Sequence, residues 1–384
     1  MLKSYLRDHW EYLTKAGGYP GIDAARALAV SSVILFHFKW LPFGWIGVDL
    51  FFVISGFLIG GIILDKAIAK RFSMIEFYRN RALRILPVYY TMIVLCIFLK
   101  AGAKPLDNVA LKSIATAATF LQTTGPYFFP NQFVIDHSFI PGGSWSLAVE
   151  EMFYIFSPLV LILLVGTTAR LRSVAIVLGL IALAAIPIRL TMTSGFSPDD
   201  PNWHFASFIQ FHSRFDELLA GVICAALVRS TPDLKRGSKA LAVSSIVLLA
   251  IFLAFMLAHP LYLKSPQTLT RDTVWLPTLL GAMGAAFILS VYWVPIKSKM
   301  VIALARLSYP LYLMHIFIWE VAMLTPGLMD AAKESIGMHA TYLIIVMLSI
   351  VFSWLMSLTV EYPFIRIYKK PVLAKQEQFL LAKR

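Results

Sequence analysis

The chain has 384 residues, of which 59% are hydrophobic and only 14% charged, with 28 phenylalanines. A soluble domain carries about 25% charged residues, so a soluble globular enzyme and a disordered chain are both excluded. A polytopic helical membrane protein is expected. The net charge of +13 would suggest nucleic acid in a soluble chain. In a membrane chain it asks first where the cations lie.

Residues 1–20 carry Lys3, Arg7, Asp8, Glu11 and Lys15 and lack the apolar core of a cleavable signal. They read as a cytoplasmic segment ahead of an anchoring first span. A spanning helix needs about 20 mostly apolar residues. Ten such stretches follow, near 21–39, 45–65, 84–101, 146–166, 173–194, 214–230, 239–259, 275–294, 307–324 and 340–364. The expected fold is therefore an all-α transmembrane bundle over residues 21–366. Residues 367–384 form a basic tail, and an appended soluble domain is not expected. Cys96 and Cys224 sit in apolar runs, so neither a disulfide framework nor a zinc spacing is indicated, and no metal is expected.

Numbering the connections alternately places 24 of the 34 lysines and arginines on one side and eight on the other, with Arg26 and Arg189 inside spans. The positive-inside rule then puts both termini in the cytoplasm. Much of the net charge is thereby accounted for as topology, and nucleic acid is no longer an expected partner.

Ionisable groups inside spans are costly and mark candidate sites. In the first span Arg26 and His37 are eleven residues apart. They fall within about 20° of one helix face and about 16 Å apart along the axis. That stripe carries a permanent cation near the inner end and a titratable base near the outer end; alternatively the two are interface residues satisfied locally. In the second span Asp49 shares a face with Gly56 and Gly60, whose spacing permits close helix approach. Ahead of the third span, Arg79, Arg81 and Arg84 offer forked, permanently charged donors suited to phosphate; a topology signal with anionic-lipid contact is the alternative. The fourth span opens with Trp145 and Ser146, followed by Glu150 and Glu151, and Ser144 or Ser146 can cap it. Arg189, Arg214, Asp216 and Glu217 lie near outer ends and can form ion pairs. The ninth span aligns Ser308, Tyr312, His315 and Trp319 on one stripe. Glu361 ends the last span, where it can pair with a nearby arginine.

These elements, in order over about residues 20–366, resemble the membrane-bound acyltransferase-3 family. The matching motifs are Asp23-x2-Arg26-x10-His37, the stretch Gly47 to Leu58, Arg81-x2-Arg84, the stretch Trp145 to Tyr154, Arg214-x2-Glu217-x3-Gly221, the stretch Leu307 to His315, and Glu361-x-Pro363-Phe364. Met152, where a polar residue is usual, and Ala305, where glycine is usual, depart from the pattern. The esterase-like domain of some relatives is absent from this sequence.

The resemblance implies transfer of an acyl group, commonly acetyl, from cytoplasmic acyl-CoA to a hydroxyl of an extracytoplasmic or lipid-linked carbohydrate, in a bacterial inner membrane. On that reading Arg81, Arg84 and Arg79 hold the coenzyme phosphates, and its arm passes Arg26 towards His37. His37 acts as general base, with Glu150, Glu151 or Asp49 orienting it. Trp145, Ser146, Arg189, Arg214, Tyr312 and His315 are candidates for contacts with the acceptor. Among these, Tyr312, Ser146 and Arg189 are unranked oxyanion donors. The aromatics at Tyr127–Phe129 and Trp203 would stack on sugar faces. The competing reading is a multi-pass transporter or flippase of a glycan or lipid. It would need the same intramembrane charges, but such folds often carry inverted repeats, and none is detected in the sequence.

Overall fold

A computed structural model describes residues 2–102, 106–123, 142–168, 170–195, 208–259 and 274–367. The basic tail beyond 367, Tyr127–Phe129 and Trp203 lie outside the described residues. The architecture is a helical bundle, and no strand is seen among the described residues.

Each predicted span corresponds to helix. These are α2 (Pro20–His37), α3 (Gly47–Ile68), α4 (Met74–Ala101), α6 (Trp145–Thr168), α7 (Leu171–Leu183) continued by α8 (Ala185–Met192), α9 (Phe211–Ser230), α10 (Ser238–Ala258), α11 (Leu276–Val291), α12 (Lys299–Leu324) and α14 (Met338–Met356). Among the described residues, seven segments are long and apolar enough to cross a membrane by length and composition. The other three predicted spans fall on α2, α9 and the 16-residue α11. Three further helices, α1 (Leu2–Thr14), α5 (Asn108–Ala118) and α13 (Leu328–Ile336), were not expected as helices. Outward faces carry exposed apolar side chains such as Leu163, Leu180, Ile246 and Met347. That is the pattern of a bundle whose solvent is lipid.

Two helices begin about eight to ten residues before the predicted spans, and the reason is capping. The Ser73 hydroxyl accepts a hydrogen bond from the Glu76 amide at 3.3 Å, which starts α4 at Met74. The Ser298 hydroxyl accepts from the Val301 amide at 3.4 Å, which starts α12 at Lys299. An N-cap satisfies donors that the first helical turn leaves open. As a result Arg79, Arg81, Arg84 and Arg306 are helical residues rather than loop residues.

The helix α3 runs through the middle of the bundle and packs most extensively against α9. Their approach is backbone to backbone. A side chain at Gly56 would collide with the Leu218 carbonyl, and one at Gly221 with the Val53 carbonyl. The two glycines are reciprocal, so both are required for the same contact. Arg26 of α2 meets Ser308 of α12, and His37 of α2 meets His315 of α12. Those two contacts mean that α2 and α12 run in the same direction.

The amphipathic α1 lies across one end of the bundle. Tyr5 donates to the Leu358 carbonyl at 2.6 Å, and His9 is 3.2 Å from the Ser357 hydroxyl. Both partners belong to a π-helical turn, Ser357–Glu361, that follows α14. Such turns insert one residue into the ladder and redirect side chains. This one brings Glu361 towards α4.

Candidate active site

A cavity of about 250 Å³ lies between α2, α3, α4, α6 and α12. At the end covered by α1 its wall holds Arg26, Arg81, Arg84 and Arg306. Towards the other end it holds Ser55, Glu150, Tyr154, Ser146 and Tyr312. The lining also includes the apolar side chains of Val48, Phe51, Ile54 and Leu58. A second cavity of about 180 Å³ adjoins it under α1, lined by Tyr12, Asn80, Arg81, Leu83, Arg84, Arg306 and Ile365. Arg81, Arg84 and Arg306 border both.

The basic end is built by three helices. Arg84 forms an ion pair with Glu361, Nη1 to Oε1 at 2.9 Å, and donates to the Tyr12 hydroxyl at 2.8 Å. Glu361 Oε2 accepts from the Ser357 hydroxyl at 2.9 Å. The Arg26 guanidinium donates to the Ser308 hydroxyl at 3.2 Å. Arg306 has its Nε buried with no hydrogen-bond partner among the described residues, and Asn80 has its Oδ1 in the same condition. On α1, burial raises the Tyr12 phenol above its ordinary range. Burial also pushes the His9 imidazole down to about 4.

At the other end the Tyr154 hydroxyl donates to Glu150 Oε2 at 3.0 Å and lies 3.0 Å from the Ser55 hydroxyl. The Ser146 and Tyr312 hydroxyls are 2.8 Å apart. The Tyr312 ring is 5.9 Å from the His315 ring, and His315 is 5.0 Å from His37. His37 itself is exposed at the end of α2 and does not line the cavity.

Of the sequence-selected residues, Arg26, Arg81, Arg84, Glu150, Ser146 and Tyr312 come together on one cavity wall. Arg79 is exposed and lies on neither wall. Asp49 is held by Arg214 at 2.6 Å, and Arg214 also grips Glu217 at 2.7 Å. The Arg214 guanidinium lies 4.3 Å from the Phe208 ring centroid and 5.6 Å from that of Trp145. Arg189 pairs with Asp216 at 3.0 Å and donates to the Ser213 carbonyl. These arginines are fully buried, where a charge is tolerated only with partners. Neither lines the cavity. Glu151 also lies off the cavity, with Oε1 buried and unpartnered among the described residues. No carboxylate contacts His37 among the described residues; its ring partner is His315.

Arg306, Ser55, Asn80 and Tyr12 belong to the cavity walls and were not selected from the sequence. Arg306 was legible in principle, because the Ser298 cap places it at the start of the third turn of α12. Tyr12 and Asn80 carried no signal, since only the docking of α1 brings them to the arginines.

A family model described as an acyltransferase domain matches residues 19–358. The chain belongs to the acyltransferase-3 family. Among curated proteins it is 31% identical over 251 residues to the peptidoglycan O-acetyltransferase OatA of Listeria monocytogenes serovar 1/2a, covering 62% of this chain and 39% of that protein. It is also 31% identical over 215 residues to the O-acetyltransferase OatA of Staphylococcus aureus strain NCTC 8325, covering 54% and 34%. The matches thus span little more than a third of these relatives' length. No solved structure matches the chain. The family match covers all ten predicted spans almost entirely, so the cavity of this acyltransferase-3 member lies within the shared domain.

Proposed function

We propose that the protein is an acyl-CoA-dependent O-acyltransferase that moves an acyl group, acetyl in the first instance, onto a carbohydrate hydroxyl across a bacterial inner membrane. Both termini face the cytoplasm in this reading, with α1 and the arginines at the cytoplasmic mouth. The observation that carries it is the continuous cavity from Arg81, Arg84 and Arg306 to Ser146 and Tyr312. A polyanion is held at one end, and a long thin arm fits an apolar passage beyond it.

The small cavity under α1 suits the coenzyme phosphates. Arg81 and Arg306 supply donors there, and the unpartnered Arg306 Nε supports that placement. The pantetheine arm runs past Arg26 and brings the thioester carbonyl towards Ser146 and Tyr312. The acceptor hydroxyl approaches from the opposite mouth, where His37 is exposed. His37 takes the hydroxyl proton as the oxygen attacks the carbonyl carbon. The tetrahedral oxyanion is held by the Ser146 and Tyr312 hydroxyls, the Tyr312 O–H turning to it from the Gly143 carbonyl that it meets at 2.9 Å. The C–S bond then breaks, and the proton passes from His37 to the departing thiolate, so the step balances without a further reactant. Glu150, tied to Tyr154 and facing the arginines, keeps the passage polar where the thioester sits. The acceptor class rests on the peptidoglycan named for the Listeria relative.

The test is reconstitution in nanodiscs with radiolabelled acetyl-CoA and a peptidoglycan fragment. The expected product is heavier by one acetyl group, and the His37→Ala protein, still inserted, forms none. Transport of the fragment without acetylation would overturn the reading and favour a transporter.

A further inference from the structure

The geometry points to His315 as a positioning residue that, together with the Val33 carbonyl, fixes the tautomer of His37. This inference rests on the acyl-transfer reading above for its functional meaning, though the tautomer itself follows from the hydrogen bonds alone.

The two histidines sit at the same level on the parallel helices α2 and α12. In each ring Nδ1 faces the main-chain carbonyl four residues earlier: His37 Nδ1 is 2.9 Å from the Val33 oxygen, and His315 Nδ1 is 3.0 Å from the Leu311 oxygen. A carbonyl oxygen only accepts, so both Nδ1 atoms carry hydrogen. The third contact joins the rings, His315 Nε2 to His37 Nδ1 at 3.2 Å. With its proton on Nδ1, neutral His315 presents a bare Nε2. That nitrogen accepts from the His37 Nδ1–H, which is shared with Val33. The reverse assignment would set two lone pairs against two carbonyls at once.

One consequence is that His37 Nε2 carries the lone pair. It is the nitrogen free to take a proton from an acceptor hydroxyl. A second is directional. When His37 becomes an imidazolium, Nδ1–H still donates to His315 and the bond becomes charge-assisted. A proton on His315 Nε2 would instead oppose the His37 Nδ1–H, and His315 is only 1% exposed. The pair therefore accepts a proton at His37 and not at His315. In hydrolase triads a carboxylate sets the tautomer; here a main-chain carbonyl and a buried imidazole do so together, while Asp49 is held by Arg214.

The experiment uses the full chain in nanodiscs with 15N-histidine, and the His37 signals are identified by their loss in His37→Asn. Wild type is expected to show His37 protonated at Nδ1 and bare at Nε2. His315→Leu removes one of the two acceptors of the His37 Nδ1–H and leaves the Val33 carbonyl alone. It should split His37 between tautomers and lower kcat for thiol release from acetyl-CoA, with a chitotetraose acceptor, on the order of tenfold to a hundredfold. The KM for acetyl-CoA should not move. His315→Gln places an amide oxygen near the Nε2 position and should restore one tautomer and most of kcat. A wild-type His37 protonated at Nε2, or a His315→Leu protein with wild-type tautomer and kcat, overturns the inference. Wild-type protein that shows the stated tautomer but releases no thiol overturns the acyl-transfer reading alone.

Discussion

Arg84 and Glu361 form an ion pair of 2.9 Å in which the arginine still borders both cavities while the carboxylate is wholly buried. The pair ties α4 to the π-helical turn after α14. It also gives Arg84 a structural partner, so its removal has two separable effects.

Arg84→Ala leaves the buried Glu361 carboxylate without its cation, a change that costs about 3–5 kcal/mol. The thermal midpoint in detergent should fall accordingly. Adding Glu361→Gln to that variant removes the orphaned charge and should recover most of the stability. Acetyl-CoA affinity should stay weak in the double variant. Wild-type affinity there would assign Arg84 to structure alone.

Arg306 is expected to contact the coenzyme phosphates. Losing one charge-assisted contact costs about 1.5–3 kcal/mol, so Arg306→Ala should weaken acetyl-CoA binding at least about tenfold. The loss should be largest at low salt, where charges are least screened. Arg79→Ala, on the exposed face of α4, should leave affinity unchanged. Equal effects of the two substitutions in titration calorimetry would argue for a diffuse basic surface instead of a site.

Arg189 and Asp216 test whether a buried pair binds substrate or holds the bundle. Arg189→Met alone strands Asp216 and should destabilise by about 3–5 kcal/mol, whereas Arg189→Met with Asp216→Leu should regain stability. If the pair is structural, the double variant also regains acetyl transfer. A stable double variant without transfer would return Arg189 to the acceptor site.

Gly56→Ala drives a methyl group into the Leu218 main chain. Backbone cannot rotate aside as a side chain can, so a loss of at least about 1–3 kcal/mol is expected. Gly166→Ala is the control, since a side chain there meets nothing within 4 Å. Comparable melting of the two variants would contradict the close α3–α9 approach.

His9 gives a pH dependence confined to α1. Burial lowers its pKa to about 4, below the ordinary value of about 6.5. Above pH 7 it is neutral whether α1 is docked or free, and docking is unaffected. As pH falls from about 6.5 towards 4, the undocked helix takes the proton first and docking weakens. Hydrogen exchange of residues 2–14 should rise over that window and not at higher pH. His9→Asn should flatten the response.

The ten spans were legible because an apolar stretch of sufficient length must form helix in lipid, whatever its neighbours. The Arg26–His37 stripe and the ninth-span stripe were legible for a related reason: helical periodicity assigns residues to a face without knowledge of what that face meets. Helix starts were less so. The apolar run marks only the lipid-buried part, and the caps at Ser73 and Ser298 lie outside it. That is why Arg306 falls outside the predicted span that begins near 307.

The sequence anticipated ion pairs among Arg189, Arg214, Asp216 and Glu217 and an arginine beside Glu361, and these form, but which cavity or partner each remaining carboxylate meets was not legible. Asp49, Glu150 and Glu151 are three similar carboxylates at one membrane level in the sequence. In the bundle Asp49 is held by Arg214, Glu150 bonds Tyr154 on the cavity wall, and Glu151 lies off it. The choice depends on the α3–α9 approach that Gly56 and Gly221 permit, a contact between residues 165 positions apart.

Composition and periodicity were therefore enough to establish a polytopic helical membrane protein with arginines towards one end of the bundle and a histidine at the far end of its first predicted span. Those properties belong to single helices and follow from local hydrophobicity and the 100° turn. Which arginines share a cavity, which are held in ion pairs, and that His37 faces a second histidine and not a carboxylate were decided by packing between helices. Pairing depends on distances across the bundle, and no spacing along one helix encodes them.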